Sequence, residues 1–401
     1  MQLKDLSQWI EAQRPDIEAA LKTLVEVNTY TANVDGVDEG IDVLSNMAQQ
    51  MGFRIETVNA RHRLIRCGNA NSSKPCIMLI THMDTVHPPD GDFLHYQPGA
   101  DGFVSGPGVG DIKGGTVMGL WAMRAMGELL KDYDLQMIVS VDEEIGSPTI
   151  KDWYANPQAH GADYAIGLEP GFPQGELTPT VPLGVVDKRR GYAAIRFTVH
   201  GKNAHSGTPH LGLSAVEAVA HKILKMQALN APERGVSVNV GMVHGGTAPN
   251  TVAGEVVSTV SFRYETMEDG EATRQAIEEI IKESHVTNSD LDLTDSSTYE
   301  VVTFIPPMEK TDTSQGLVKI VLEEAEKLGH PVVPIARGGG SDANHVSGGG
   351  VPSICGMGAP AQDIHTTHEK IYLPMMLERI DLLARTLYRV TTESPASTID
   401  L

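Results

Sequence analysis

The residues able to do chemistry cluster where apolar runs stop. The run 76–81 ends on His82, with Asp84 two residues later. The run 135–141 ends in Asp142, Glu143 and Glu144, and 162–168 ends on Glu169. The run 351–357 is followed closely by His365. Imidazoles and carboxylates are the side chains that move protons and hold divalent cations. Gathered at one edge of a sheet, so many carboxylates would repel one another or bury charge at a cost unless a cation sat among them. The pattern therefore predicts a metal site.

Counting donors makes the expectation specific. Zinc accepts imidazole nitrogen and carboxylate oxygen, and two ions about 3.5–4 Å apart need a shared carboxylate plus two further ligands each. Asp111, in G-P-G-V-G-D-I-K-G-G, is the expected shared group. His82 and Glu169 then serve one ion, and Glu144 and His365 the other. Cobalt or manganese fits the same donors. Asp84 is expected to hydrogen-bond the far nitrogen of His82 and fix its tautomer. Glu143 is left over, and a carboxylate held off the metals is what a general base needs.

These side chains require a scaffold that brings distant segments to one edge. Uninterrupted apolar runs bounded by turns read as strands buried on both faces, as in the middle of a parallel sheet. Such strands deliver functional groups at their carboxyl ends. Helical periodicity over 3–25, 34–51, 116–130, 313–328 and 374–390 completes an α/β, doubly wound domain with a mixed or parallel sheet. Between 191 and 302 the pattern changes. Strands at 192–199, 236–243, 252–264 and 291–299, with helices at 211–229 and 268–284, give the β-α-β-β-α-β order of a ferredoxin-like sandwich. The expected organisation is a catalytic domain of 1–190 and 303–401 interrupted by an inserted domain of 191–302. The polar tail 391–401 is expected to fray.

Several features read as structural. The glycines of 106–115 lack the Gly-Lys-Ser/Thr ending of a phosphate loop and no strand directly precedes them, so they serve to pass the backbone near the metals and aim Asp111. The methionines of 118–126 recur at helical spacing and belong to the core. Of the 15 histidines, His87, His160, His345 and most others read as surface or hydrogen-bonded structural groups. Lys188, Arg189 and Arg190 suit a solvated linker as well as a substrate-carboxylate contact. Cys67, Cys76 and Cys355 read as reduced thiols, with a Cys67–Cys76 hairpin bridge as the alternative.

The net charge of −21, without a basic run, argues against nucleic-acid and anionic-membrane partners. With no signal-peptide core at the N-terminus and no apolar run of about 18 residues, a cytoplasmic enzyme is expected.

The words T-H-M-D-T-V, G-V-G-D-I-K-G-G, V-D-E-E-I-G-S, G-L-E-P-G and I-H-T-T-H-E resemble, in order and separation, those of the co-catalytic zinc peptidases. That family includes glutamate carboxypeptidase, peptidase T, acetylornithine deacetylase and succinyl-diaminopimelate desuccinylase, and the resemblance covers nearly the whole chain. It implies the ligand set above, with Glu143 as base and Asp84 as orienting acid. It also selects His365 over His368, because the family's last ligand stands four residues before a Glu, here Glu369. Glu169 is similar to the residue of the carboxypeptidases and deacylases, where amino-, di- and tripeptidases tend to carry Asp.

The segment G-K-N-A-H-S-G-T-P-H resembles the family's lid motif. It implies that His205 is an oxyanion donor reaching across a dimer interface and that the inserted domain is a lid and dimerisation unit. Asn250, Arg263 and Arg337 stand in segments similar to those that bind the substrate carboxylate or oxyanion. Arg190 departs from the small residues of glutamate carboxypeptidase at that place.

Taken together, the resemblance implies a homodimeric, two-zinc hydrolase of an amide bond beside a free carboxylate, closest in type to glutamate carboxypeptidase. N-acyl amino acid deacylation is the alternative. A di- or tripeptidase, or a metal-binding protein without turnover, ranks below both. The substrate is a small peptide or N-acyl amino acid.

Overall fold

All four apolar runs form strands of one six-stranded sheet in a computed structural model of the chain, which describes residues 1–393 and 395. The sheet belongs to the first of two compact units, Met1–Lys188 with Met308–Leu401; the second is Arg189–Pro307. Its strand order is Arg54–Val58, His62–Gly68, Asp134–Ser140, Cys76–His82, Tyr164–Gly167 and Ser353–Ile354. Cys76–His82 runs parallel to both of its neighbours, while Arg54–Val58 and His62–Gly68 form an antiparallel margin.

All seven residues of Cys76–His82 are buried. Side chains alternate across a strand, so Ile77 and Leu79 join a core with Leu21, Met118 and Leu383, and Met78 and Ile80 join another with Ile138, Tyr154 and Val346. Two apolar faces explain why the run has no polar interruption.

The helix Gly114–Leu129 buries Met118, Met123 and Met126 in the core. Its glycines set how closely it approaches the sheet. A Cβ on Gly115 would lie 2.2 Å from the Leu168 carbonyl oxygen, and one on Gly119 would lie 2.6 Å from the Met137 sulfur.

Several expectations are corrected. The run 351–357 joins the six-stranded sheet only over Ser353–Ile354; Cys355 bridges Val186, and the Met357 and Gly358 amides donate to the carbonyls of Gly167 and Glu169 at 3.1 and 2.9 Å. The glycine-rich stretch after 338 contains a helix, Asp342–Gly348, with a Ser341–Asn344 capping box. A small antiparallel sheet of Gln97–Pro98, Phe103–Ser105, Lys370–Tyr372 and Ala361–Gln362 was not foreseen. The last helix, Leu373–Thr392, includes the first two residues of the tail expected to fray, and residues 394 and 396–401 of that expectation lie outside the described residues.

All three cysteines are buried thiols outside any disulfide. Cys67 and Cys76 pair with Leu135 and Asp134 on opposite sides of one strand. Two strand spacings, about 9.5 Å, exceed the reach of a disulfide. No helix among the described residues is long and apolar enough to cross a membrane.

In the second unit, Ser237–Gly245, Glu255–Tyr264, Gly191–His200 and Ser296–Ile305 form an antiparallel sheet in that order. The helices Ala215–Gln227 and Met267–Lys282 intervene in sequence, giving the ferredoxin-like β-α-β-β-α-β succession. The final strand was expected at 291–299. It instead spans Ser296–Ile305, beyond the expected boundary at 302, and residues 287–294 make a short turn-back of Thr287–Asn288 against Leu293–Thr294.

Candidate active site

His82 is the last residue of the central strand, and its ring is buried. Its Nδ1 lies 2.9 Å from the backbone carbonyl of Asp84. A carbonyl only accepts, so Nδ1 donates to it and Nε2 faces inward, where its lone pair would be the one offered to a metal ion. Asp84 was expected to do this with its carboxylate, but Oδ1 stands 3.4 Å away. The carboxylate instead accepts the Glu143 and Glu144 amides at 3.1 and 3.2 Å and the Thr31 hydroxyl at 2.9 Å. Asp84 thus joins the His82 strand end to the Glu143–Ile145 turn.

Asp111 is delivered by the irregular turn Val109–Lys113 that precedes the Gly114–Leu129 helix. Its two oxygens face different imidazoles: Oδ1 is 3.3 Å from His82 Nε2 and Oδ2 is 3.1 Å from His365 Nε2. His365 Nε2 also lies 3.4 Å from Glu144 Oε2. The Glu143 and Glu169 carboxylates each come within 3.9 Å of His82 Nε2. His365 has φ 62°, a left-handed conformation unusual for a histidine, and its side chain is half-exposed. It, and not the alternative His368, reaches Asp111 and Glu144; the described contact of His368 is its amide on the Thr366 hydroxyl at 3.1 Å.

The arrangement fits a cation on three counts. His82 Nε2, Asp111 Oδ1 and Glu144 Oε1 are buried without a hydrogen-bond partner. Ligand atoms of these three residues lie within 4.8 Å of one another. Two donors about 2.0–2.1 Å from a tetrahedral zinc stand roughly 3.3 Å apart, and the His82–Asp111, His365–Asp111 and His365–Glu144 separations of 3.3, 3.1 and 3.4 Å straddle that value.

Titration behaviour reflects the same crowding. Burial pushes Glu144 up to about 8 and holds Glu143 well above the usual carboxylate range. Burial also opposes charge on Asp111, but the His365 and His82 imidazoles outweigh it and lower its pKa. His365 rises to about 9, chiefly through its hydrogen bond with Asp111.

Two supports were missed in the sequence. Glu369, used there only as a landmark, is fully buried and accepts the Gly110 and Asp111 amides at 2.8 and 3.0 Å on one oxygen, while His87 meets the other at 2.8 Å. Asp342 accepts hydrogen bonds from Ser140 at 2.6 Å, from Tyr154 at 3.0 Å and from Ser147, and so holds both ends of the segment carrying Glu143 and Glu144. The signal for His87 was its place directly after the word that carries His82; the signal for Asp342 was its place inside the Ser341–Asn344 capping box.

Arg337 stacks on Phe172, 3.9 Å from the ring centroid, and Phe172 stands three residues beyond Glu169. In the second unit, His205 pairs with Thr251, and the Ser206 amide donates to the Asn250 carbonyl at 2.9 Å, so His205 and Asn250 are neighbours. Arg263 lies near the far end of the unbroken strand Glu255–Tyr264, over the Tyr192 ring. Eight strand residues separate that end from the first by about 27 Å.

The chain is similar to known peptidases. Carboxypeptidase G2 of Pseudomonas sp. (strain RS-16) is 24% identical over 383 residues, 93% of this chain and 89% of its own. The crystal structure of aminopeptidase PepT from Bacillus cereus superposes with a TM-score of 0.76 at 24% identity, over 94% of this chain and 98% of that one. A dinuclear metal binding peptidase of the M20 family from Bacillus subtilis gives a TM-score of 0.67 at 13% identity, over 95% and 99% of the two chains. The description of peptidase family M20/M25/M40 matches residues 78–389, a span that contains the whole second unit and every proposed metal ligand. With that much of the chain accounted for, this protein belongs to peptidase family M20/M25/M40 and is a metal-binding hydrolase of the metallopeptidase and amidohydrolase class.

Proposed function

We propose that the protein is a two-zinc hydrolase that cleaves an amide bond adjacent to a free carboxylate, in the manner of a glutamate carboxypeptidase. The carrying observation is that the two oxygens of Asp111 each face an imidazole while Glu143 stands nearby outside the closest donor pairs. His82 and Glu169 would hold one ion, Glu144 and His365 the other, with Asp111 shared. Cobalt or manganese are possible substitutes on the same donors. Bound zinc supplies Lewis-acid polarisation and makes water acidic enough to attack near neutral pH. Glu143 takes the proton of the attacking water as its oxygen bonds to the carbonyl carbon, and then returns it to the leaving nitrogen as the C–N bond breaks. Its raised pKa suits it to both halves of that transfer.

For the carboxylate, support comes from Arg337 near the Glu169 segment, from Glu at position 169, and from the name of the carboxypeptidase relative. An arginine fork matches a carboxylate in bidentate fashion. His205, Asn250 and Arg263 are proposed as further substrate contacts. Arg263 is about 27 Å of strand from Glu255, the residue at the sheet end from which the segment of Asn250 and Thr251 runs back to its pairing with His205, which separates Arg263 along the strand from the other two. The reading therefore takes His205 and Asn250 from a second chain, making the enzyme a homodimer.

The second reading is an N-acyl amino acid deacylase, which needs the same metals, base and carboxylate contact. Metal-replete protein assayed against dipeptides, N-acyl amino acids and their C-terminal amides separates the two. Release only from blocked N-termini selects deacylation. Equal turnover of C-terminal acids and amides would sink the carboxylate requirement altogether.

A further inference from the structure

We propose that Glu369 and His87 are positioning residues that govern loading of the metal position formed by Asp111, Glu144 and His365, an inference that rests on the two-ion reading above. Both carboxylate oxygens of Glu369 are engaged by protein donors, and what the pair holds is the backbone that aims the ligands. One carboxylate oxygen of Glu369 accepts the amides of Gly110 and of Asp111 itself. The other oxygen is engaged by His87 Nε2 at 2.8 Å, on the segment five residues beyond His82. The backbone of Glu369 is tied as well: its carbonyl accepts the Ser105 hydroxyl at 2.7 Å, and its amide donates to the Thr366 carbonyl at 3.2 Å. A single buried residue therefore fastens the loop of Asp111 to the loop of His365, four residues upstream.

The two metal positions depend on this fastening unequally. The His82 side keeps a ligand at the end of a buried strand, its ring held by the Asp84 carbonyl, and Glu169 at the end of another. The other side rests on Asp111 in an irregular turn and on His365 in a half-exposed left-handed loop conformation. Releasing Glu369 frees both of those at once. Hydrogen-bonded supports behind metal ligands are typically worth about 10–100-fold in metal affinity, and here that loss falls chiefly on the second ion, because the first shares Asp111 but keeps His82 and Glu169.

The test is titration of chelator-stripped protein with Zn2+ or Co2+, read as stoichiometry and affinity by competition with a chromophoric chelator. Wild type takes up two ions. Glu369→Ala retains one ion nearer to wild-type affinity, since that ion loses only the aim of the shared Asp111, and binds the second at least about 10-fold more weakly than the first. In Glu369→Gln the amide oxygen still accepts both backbone N–H groups, and the second ion returns. His87→Ala weakens the second ion by a smaller factor, since Glu369 remains. Two ions at wild-type affinity in Glu369→Ala, or equal weakening of both, overturns the proposal. If Glu369→Ala does not fold, His87→Ala decides alone, and an unchanged second affinity there overturns it. Fewer than two ions in the wild type would sink the two-ion reading itself, a result distinct from any change between variants.

Discussion

His82 and His365 face the two oxygens of one carboxylate, yet their supports differ in kind. His82 completes a strand with every residue buried, and its ring is fixed by a hydrogen bond two residues away. His365 sits on a loop of a small antiparallel sheet, half-exposed and at positive φ, and its register depends on Glu369. The difference teaches that a hydrolase site can combine one anchored side, which fixes where a substrate carbonyl must lie, with one side whose geometry is set by side-chain hydrogen bonds between loops.

Glu143 belongs to neither side in the proposed mechanism, and its replacement gives the largest expected effect. Glu143→Gln should lower kcat by about 10³-fold while metal analysis still finds two ions; loss of an ion would make Glu143 a ligand and redraw the comparison. Next comes the anchor beneath His82. Leu79 is wholly buried in the core, and Leu79→Ala should cost about 2–5 kcal/mol of stability, measured by urea unfolding, with both ions still bound in the folded protein. Asp84 supports both sides, through His82 on one and the amides of Glu143 and Glu144 on the other. Asp84→Ala keeps the carbonyl that holds His82 and removes the carboxylate that accepts the Glu143 and Glu144 amides, so it should weaken the ion on Glu144 by about 10–100-fold and the ion on His82 by less. Equal weakening of both would show that the carboxylate also fixes His82.

The smallest effect is on pH dependence. In the metal-free protein His365 rises from 6.5 to about 9 and Glu144 from 4.5 to about 8. Both folded values exceed the unfolded ones, so these groups bind protons more tightly in the fold. The stability they contribute is complete below the unfolded values and is lost as pH rises through 8 and 9. The unfolding midpoint of chelated protein should fall between pH 6.5 and 9, and zinc affinity should rise over that window because binding displaces the protons. A flat midpoint would remove His365 and Glu144 from the protonated network.

What the sequence made legible follows the same division. Cys76–His82 and Asp134–Ser140 announced themselves because strands covered on both faces carry apolar residues at consecutive positions, with only a few buried polar ones such as Gln136 among them. The convergence of His82, Asp111, Glu144 and His365 could be anticipated because unpaired carboxylates at strand ends demand a cation. The supports were illegible for a physical reason: His87 and Glu369 are 282 residues apart, and nothing local in either segment encodes their contact. Short elements such as Ser353–Ile354 and Ala361–Gln362 escaped because two residues carry no periodicity. The strand Ser296–Ile305 was misplaced because it is largely exposed and rich in Ser and Thr, so its burial pattern never becomes a clean alternation.

The bare flank of the Gly114–Leu129 helix has one more consequence. Gly115 lets that helix ride against the carbonyl of Leu168, the residue immediately before Glu169, while Asp111 stands just ahead of the same helix. The missing methyl thus acts as a gauge block for the distance between two groups proposed to grip one cation. Restoring it in Gly115→Ala would lever the helix outward and open that span, with no change to any side chain that touches the ion.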